Sequence, residues 1–128
     1  MVVAGLVLCG LAALVHVFIF YLESFAWTGP RARAVFGTTP EEAATLRLMA
    51  FNQGFYNLFL AVAVLLGIVL YPAGQPAVGA TLVLTGAGSM AAAAVVLLVS
   101  SPDKAAAAAK QGVLPALGVL ALAAGLAF

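Results

Sequence analysis

The sequence predicts an all-α, polytopic membrane protein folded as a four-transmembrane-helix bundle. Of its 128 residues, 66% are hydrophobic and only 7% are charged, whereas about a quarter of the residues of a soluble domain are charged. So few charged side chains cannot coat a globule that faces water. The length also indicates one domain. We therefore expect a single membrane-embedded domain over residues 1–128.

Three long uncharged runs mark the segments that enter the bilayer. They extend from Met1 to Leu22, from Leu48 to Pro102 and from Gln111 to Phe128. Because about 20 residues cross a bilayer as a helix, the middle run is long enough for two crossings. The prolines and glycine between residues 71 and 76 divide it. The runs also lack the alternating pattern of a membrane barrel. The predicted helices cover approximately residues 2–27, 43–71, 77–99 and 105–128.

The basic residues predict how the chain is oriented. Arginines lie within and just after the first predicted loop, residues 28–42, and lysines lie within and just after the third, residues 100–104. The first and third loops of a four-span chain share one side, so the positive-inside rule places both in the cytoplasm and both termini outside. We expect a multi-pass protein of the cell (inner) membrane, with the lipid bilayer as its partner. Five scattered basic residues give no nucleic-acid-binding footprint.

The stretch from Thr38 to Glu42 carries the signals of a helix start. A threonine at the N-cap accepts a hydrogen bond from a backbone amide that has no partner within the helix. Pro40 has no amide to leave unpaired, and the two glutamates complement the positive end of the helix dipole. These residues predict the start of the second membrane helix.

Small residues predict how the third membrane helix packs. They recur at every fourth position, as Thr81, Thr85, Ser89 and Ala93. Small side chains at an interface let membrane helices approach closely. We expect this seam to face a neighbouring helix.

The first membrane helix places ionisable side chains in the bilayer. His16 and Glu23 are seven residues apart, close to two helical turns, so they share one face, and Trp27 continues that face at the membrane boundary. Ionisable groups at this depth mark a functional interior by default. We interpret His16 and Glu23 as a candidate catalytic acid/base pair. Alternatively, His16 forms an interhelical hydrogen bond that fixes packing, and Glu23 pairs with Arg47 in a structural ion pair.

The second membrane helix has a polar side. At about 100° per residue its polar groups cover an arc of about 140°, and they are Asn52, Gln53, Tyr56 and Asn57. Gln111 enters from the fourth helix at comparable depth. These groups bring more donors and acceptors than packing needs. Together with Trp27, they are expected to bind a ligand in a polar pocket in the cytoplasmic half of the bundle.

The polar positions also carry a resemblance to a known family. They form the pattern His16-x-x-Ile19-Phe20-x-Leu22-Glu23-x-x-x-Trp27, Phe36-Gly37, Asn52-Gln53-Gly54-x-Tyr56-Asn57 and Gln111-Gly112-x-x-Pro115-Ala116. This pattern resembles a family of small bacterial membrane proteins that carries the label domain of unknown function 1304. The resemblance covers essentially the whole chain, and the Asn-Gln-Gly-x-Tyr-Asn element is its specific part. It implies an integral membrane protein with four helices and no particular activity.

Three function classes stay open at this point. In the first, the pocket binds a small amphiphilic or lipid-like molecule and, if the protein is an enzyme, isomerises or cyclises it by proton transfer through Glu23 and His16. In the second, Glu23 couples protons to small-molecule transport by a homodimer. In the third, the chain is a structural accessory subunit. No cofactor is expected, and one histidine with one glutamate falls short of the usual three protein ligands of a metal.

Overall fold

The computed structural model describes residues 1–128, and its regular elements are all helical. In chain order they are α1, Val2–Ser24; α2, Pro30–Phe36; α3, Pro40–Leu70; α4, Pro76–Ser100; a 3-10 turn, Pro102–Lys104; and α5, Ala105–Ala127. The helices α1, α3, α4 and α5 are long and apolar enough to cross a membrane. The predicted all-α, four-span fold class is confirmed, and these four spans suggest a multi-pass membrane protein.

The start of α3 confirms the predicted helix cap. Thr39 Oγ1 accepts a hydrogen bond from the Glu42 amide at 3.1 Å, and Glu42 Oε2 accepts one from the Thr39 amide at 2.9 Å. This reciprocal capping box satisfies two backbone donors at once. The helix therefore begins at Pro40 rather than at residue 43.

The first loop contains a helix that the sequence did not predict. The seven-residue α2 begins with Pro30 in its first turn and ends at Gly37, whose φ of 64° lies in the left-handed region. Glycine adopts this conformation without steric cost. The preceding span also ends earlier than predicted, because α1 stops at Ser24 rather than at Trp27.

The four long helices pack as a ring. Each of α1 and α4 packs against both α3 and α5, while α1 and α4 contact each other little across the centre. The core between them is built mainly from small and medium-sized side chains, including Cys9, Ala13, Ala61, Val83 and Met90. Such side chains let the backbones approach closely, as membrane helix packing requires.

The predicted small-residue seam of α4 is wrong. Thr81, Thr85, Ser89 and Ala93 are exposed on the outside of the bundle, whereas the buried positions of α4 include Gly79, Val83, Gly86, Met90 and Ala94. Thr81 can face outward because its hydroxyl donates to the Ala77 carbonyl oxygen of the same helix at 2.8 Å. A hydroxyl that is satisfied within its own helix does not require a neighbour.

The charged side chains all belong to one end of the bundle, which we call the basic end. The basic end comprises the end of α1, α2, the start of α3, the end of α4 and the start of α5. Its five basic residues are Arg31, Arg33, Arg47, Lys104 and Lys110. The Lys104 ammonium donates a hydrogen bond to the Gly37 carbonyl oxygen, so the first and third connections are tied together there.

Candidate functional site

Buried polar side chains join α1 to α3 near the basic end. Glu23 is only 8% exposed and Asn57 is 9% exposed. The Asn57 side-chain amide donates to Glu23 Oε2 at 2.7 Å and is also 3.3 Å from the Gln53 carbonyl oxygen. Within the chain this amide is the hydrogen-bond partner of Glu23, through Oε2 alone. The other carboxyl oxygen of Glu23 is therefore free to accept a hydrogen bond.

A glycine allows this pair to form. A Cβ at Gly54 would lie 3.0 Å from the Phe20 carbonyl oxygen and 3.1 Å from Glu23 Cβ, and it would overlap Ser24 Oγ. Only a residue without a side chain lets α3 come this close to α1. Because Asn57 follows Gly54 by three residues, it lies on the same face of α3 and reaches Glu23.

A cavity of about 450 Å³ lies between the end of α1 and the start of α3. Its polar lining consists of Glu23, Ser24, Trp27, Thr28, Thr45 and Arg47. Its apolar lining comes from Phe25, Ala44, Leu48 and Phe51. The cavity therefore combines a buried acid, an exposed cation, hydroxyl groups and aromatic surface.

Hydrogen bonds to backbone carbonyls brace the two walls of this cavity. The Trp27 indole N–H donates to the Ala43 carbonyl oxygen at 2.8 Å, and Ser24 Oγ donates to the Phe51 carbonyl oxygen at 3.0 Å. The Trp27 ring also packs against Phe36 of α2, with ring centroids 5.3 Å apart. These contacts connect the end of α1 to α3 on one side and to α2 on the other.

The predicted ion pair between Glu23 and Arg47 is wrong. Both residues line the cavity, but the structure contains one salt bridge, and it joins Lys104 to Asp103 at 4.0 Å. Glu23 is paired with the Asn57 amide instead, while Arg47 is exposed. Equal depth in the bundle did not make them partners, because the Asn57 amide already occupies one carboxyl oxygen of Glu23.

His16 is buried, but it does not line the cavity that contains Glu23. Its Nδ1 lies 2.9 Å from the Ala12 carbonyl oxygen of its own helix, so the predicted interhelical hydrogen bond of His16 is wrong. Seven residues of helical rise separate it from Glu23 by about 10 Å along α1. The acid/base pair therefore stays a prediction that this cavity does not by itself support.

Most of the polar side chains that were predicted to bind a ligand from α3 lie outside the cavity. Asn52, Gln53 and Tyr56 are exposed on the outside of α3, and none of them lines the cavity. Asn52 donates its side-chain amide to the Leu48 carbonyl oxygen of its own helix at 3.0 Å. An arc of about 140° is wider than the strip of α3 that the bundle buries. Of the four polar groups, Asn57 alone therefore faces inward.

Gln111 belongs to a different part of the bundle. It is half-buried and lines a separate cavity of about 150 Å³ between α1 and α5, together with Leu22 and Phe36. Gln111 and Glu23 therefore do not meet in one site.

Some residues that line the cavity were not predicted from the sequence. Ser24, Thr28 and Thr45 line the cavity but were not predicted to do so. The available signal was position, since Ser24 directly follows Glu23 and Thr28 directly follows Trp27. Thr45 precedes Arg47 by two residues.

Comparison with known families decides where this chain belongs. A family model described as Protein of unknown function (DUF1304) matches residues 10–123. The chain is a member of the DUF1304 family. Comparison with curated proteins gave no match, and no solved structure matched. The resemblance predicted from the polar motifs is therefore confirmed, while the family description assigns no activity.

In this DUF1304 protein the most specific motif serves two opposite surfaces. Gly54 and Asn57 are buried on the side of α3 that packs in the bundle, where they form the contact with Glu23. Asn52 and Tyr56 are exposed on the outside. The motif thus contributes both to the buried contact with Glu23 and to the exposed surface of α3.

Proposed function

We propose that this DUF1304 protein binds a small amphiphilic, lipid-like molecule in the cavity between α1 and α3. The supporting observation is the composition of that cavity, in which a buried glutamate lies beside hydroxyl groups and aromatic surface. Its volume of about 450 Å³ falls in the range of about 300–1,000 Å³ that is usual for small-molecule sites.

The two charged residues have different tasks in this proposal. Glu23 accepts a hydrogen bond from a hydroxyl or amine of the ligand through its free carboxyl oxygen, because Oε2 is already occupied by Asn57. Arg47 is exposed and binds a phosphate or carboxylate at the mouth, where an arginine can form paired charge-assisted hydrogen bonds. Phe51 and Leu48 contact the apolar part of the molecule.

The position of the cavity suits such a ligand. It lies at the end of α1 and near Arg47, the last charged residue before the long uncharged run. This is the level at which the polar headgroups of a bilayer give way to hydrocarbon. An amphiphile that enters from the bilayer can keep its polar end at the charged groups. Isomerisation or cyclisation would need a second proton-transfer group beside Glu23, so binding is the activity proposed.

The binding experiment compares variants that differ in one charged group. The purified protein is loaded with a total lipid extract in mild detergent and examined by native mass spectrometry. We expect wild type and Lys110→Gln to retain a common small molecule, because Lys110 does not line this cavity. We expect Glu23→Gln and Arg47→Gln to retain at least about tenfold less of it. Equal retention by all four proteins, or none by wild type, would refute the proposal.

We further propose that the basic end faces the cytoplasm of the cell membrane and that both termini lie outside. The five basic residues at that end support this orientation under the positive-inside rule. A reporter that is active only in the cytoplasm, fused after Phe128, is expected to be silent, and the same reporter inserted in the 28–42 loop is expected to be active. The reverse pattern would exclude this orientation.

A further inference from the structure

We propose that the outward face of α3 joins two copies of this chain in the membrane as a homodimer. The outward face is defined by Met49, Asn52, Tyr56 and Phe59, all of which are exposed. At about 100° per residue these positions fall within an arc of about 80°. Ala50, Gly54, Asn57 and Ala61, which the bundle buries, lie on the opposite side of the same helix.

The outward face carries polar groups that lipid cannot satisfy. Tyr56 is 66% exposed, and Asn52 uses its amide for one bond to the Leu48 carbonyl oxygen, which leaves the amide oxygen and another N–H free. By helical rise, Asn52 lies about 7 Å and Tyr56 about 13 Å beyond Arg47 along α3. Acyl chains offer no hydrogen-bonding group at that depth.

A second copy is the partner that fits these groups. Two copies with the same orientation, related by an axis along the membrane normal, bring identical residues together at identical depth. A side-chain amide is both donor and acceptor, so Asn52 can pair with Asn52 of another copy, which two carboxylates or two ammonium groups could not do. No charged residue lies between Leu48 and Pro102, so no like charges oppose the contact.

The remaining residues of the face suit helix packing. Met49 and Phe59 are large, apolar and exposed, at 71% and 60%. The flexible methionine side chain adapts to an opposing surface. Hydrogen bonds between polar side chains strengthen such contacts between membrane helices. The contact lies outside the bundle, so neither copy has to rearrange its own core.

The crosslinking experiment uses a matched pair of positions. Cys9 is the only cysteine and is buried, so Cys9→Ala provides a background without thiols. Met49→Cys tests the outward face, and Val99→Cys on α4 is the control, because the two positions are 71% and 75% exposed.

The control also lies at the same level of the bundle. Gly86 of α4 packs against Leu60 and Val64 of α3, and Gly79 packs against Gly67 and Tyr71. Extending this antiparallel register by about 13 residues from Gly86 places Val99 level with Met49. The two introduced thiols are therefore exposed to the oxidant at the same depth in the membrane.

We expect oxidation in native membranes to give at least tenfold more disulfide-linked dimer with Met49→Cys than with Val99→Cys. Adding Asn52→Leu to Met49→Cys is expected to raise the dissociation constant of the dimer about tenfold, and Asn52→Gln, which keeps an amide, is expected to restore most of the affinity. Equal yields at the two positions, or no dimer, would overturn the proposal. So would a dimer that Asn52→Leu leaves unchanged, or a native mass spectrum showing only monomers carrying lipid.

Discussion

Replacing Gly54 by alanine tests the close contact between α1 and α3 on which the candidate site depends. The added Cβ would lie 3.0 Å from the Phe20 carbonyl oxygen and 3.1 Å from Glu23 Cβ. It would also occupy the space of Ser24 Oγ. The serine would have to rotate away and lose its 3.0 Å hydrogen bond to the Phe51 carbonyl oxygen. The two helices would also have to move apart slightly, because a backbone oxygen cannot rotate out of the way.

The expected cost follows from these contacts. Losing the Ser24 hydrogen bond costs about 1 kcal/mol, and forcing an extra methyl group into a packed contact costs about 1–3 kcal/mol. Alanine regains about 1 kcal/mol of helix propensity over glycine. We therefore expect Gly54→Ala to lower the free energy of unfolding by about 1–3 kcal/mol.

Gly88 provides the matched control for this measurement. It is also a glycine inside a membrane-spanning helix, but a Cβ there would meet nothing within 4 Å. Gly88→Ala is therefore expected to be neutral or to stabilise the protein by about 0.5–1 kcal/mol. Unfolding by a denaturing detergent can be followed through the fluorescence of Trp27, the only tryptophan of the chain.

A double variant separates the specific contact from a general loss of packing. Ser24→Ala alone is expected to cost about 1 kcal/mol through its hydrogen bond. Combined with Gly54→Ala it removes the overlapping oxygen, so the double variant is expected to cost about 1 kcal/mol less than the sum of the single ones. Equal effects of alanine at residues 54 and 88, or strictly additive effects of the pair, would refute this account of the helix contact.

Two further changes each have a matched control nearby in the chain. Asn57→Leu removes the amide that donates to Glu23 and is expected to cost about 1–3 kcal/mol in the same unfolding assay. Asn52→Leu, on the exposed side, is expected to change the stability of the monomer by less than about 0.5 kcal/mol; similar losses at both positions would contradict this. Thr39→Ala removes the helix cap and is expected to cost about 1 kcal/mol and to speed amide exchange at Glu42. The neighbouring Thr38, whose hydroxyl has no partner, is expected to tolerate alanine, so equal exchange in the two variants would argue against the cap.

The spans could be predicted from the sequence because the bilayer imposes a length and a composition on them. The cap at Thr39 could be predicted because it depends on local residues alone. The helix α2 could not be predicted in the same way. A helix of seven residues, Pro30–Phe36, lacks the long apolar run that marks a span. Its proline start and glycine end were the only local signals.

The side of α3 that faces the bundle was harder to predict. In a soluble protein polar groups mark the outside, whereas the prediction for this membrane bundle assumes that they mark the inside. That assumption was correct for Asn57 and wrong for Asn52 and Tyr56, which are exposed. Gly54 was the better guide, because a glycine in a membrane helix often marks close approach of another helix, and Asn57 is the polar residue that shares its face.

On α3, residue size rather than polarity separates the buried surface from the exposed one. The buried positions of α3 are mostly glycine, alanine and valine, whereas its exposed positions include Phe51, Phe59 and Leu66. Small residues of α3 lie inside because the backbones must come close there, and its large apolar residues can extend into lipid at no cost. Asn57, the polar residue on the small face, forms its hydrogen bond to Glu23 within the chain. Asn52, a polar residue on the large face, keeps its amide oxygen and one N–H free, and these are the groups that the homodimer we propose would use.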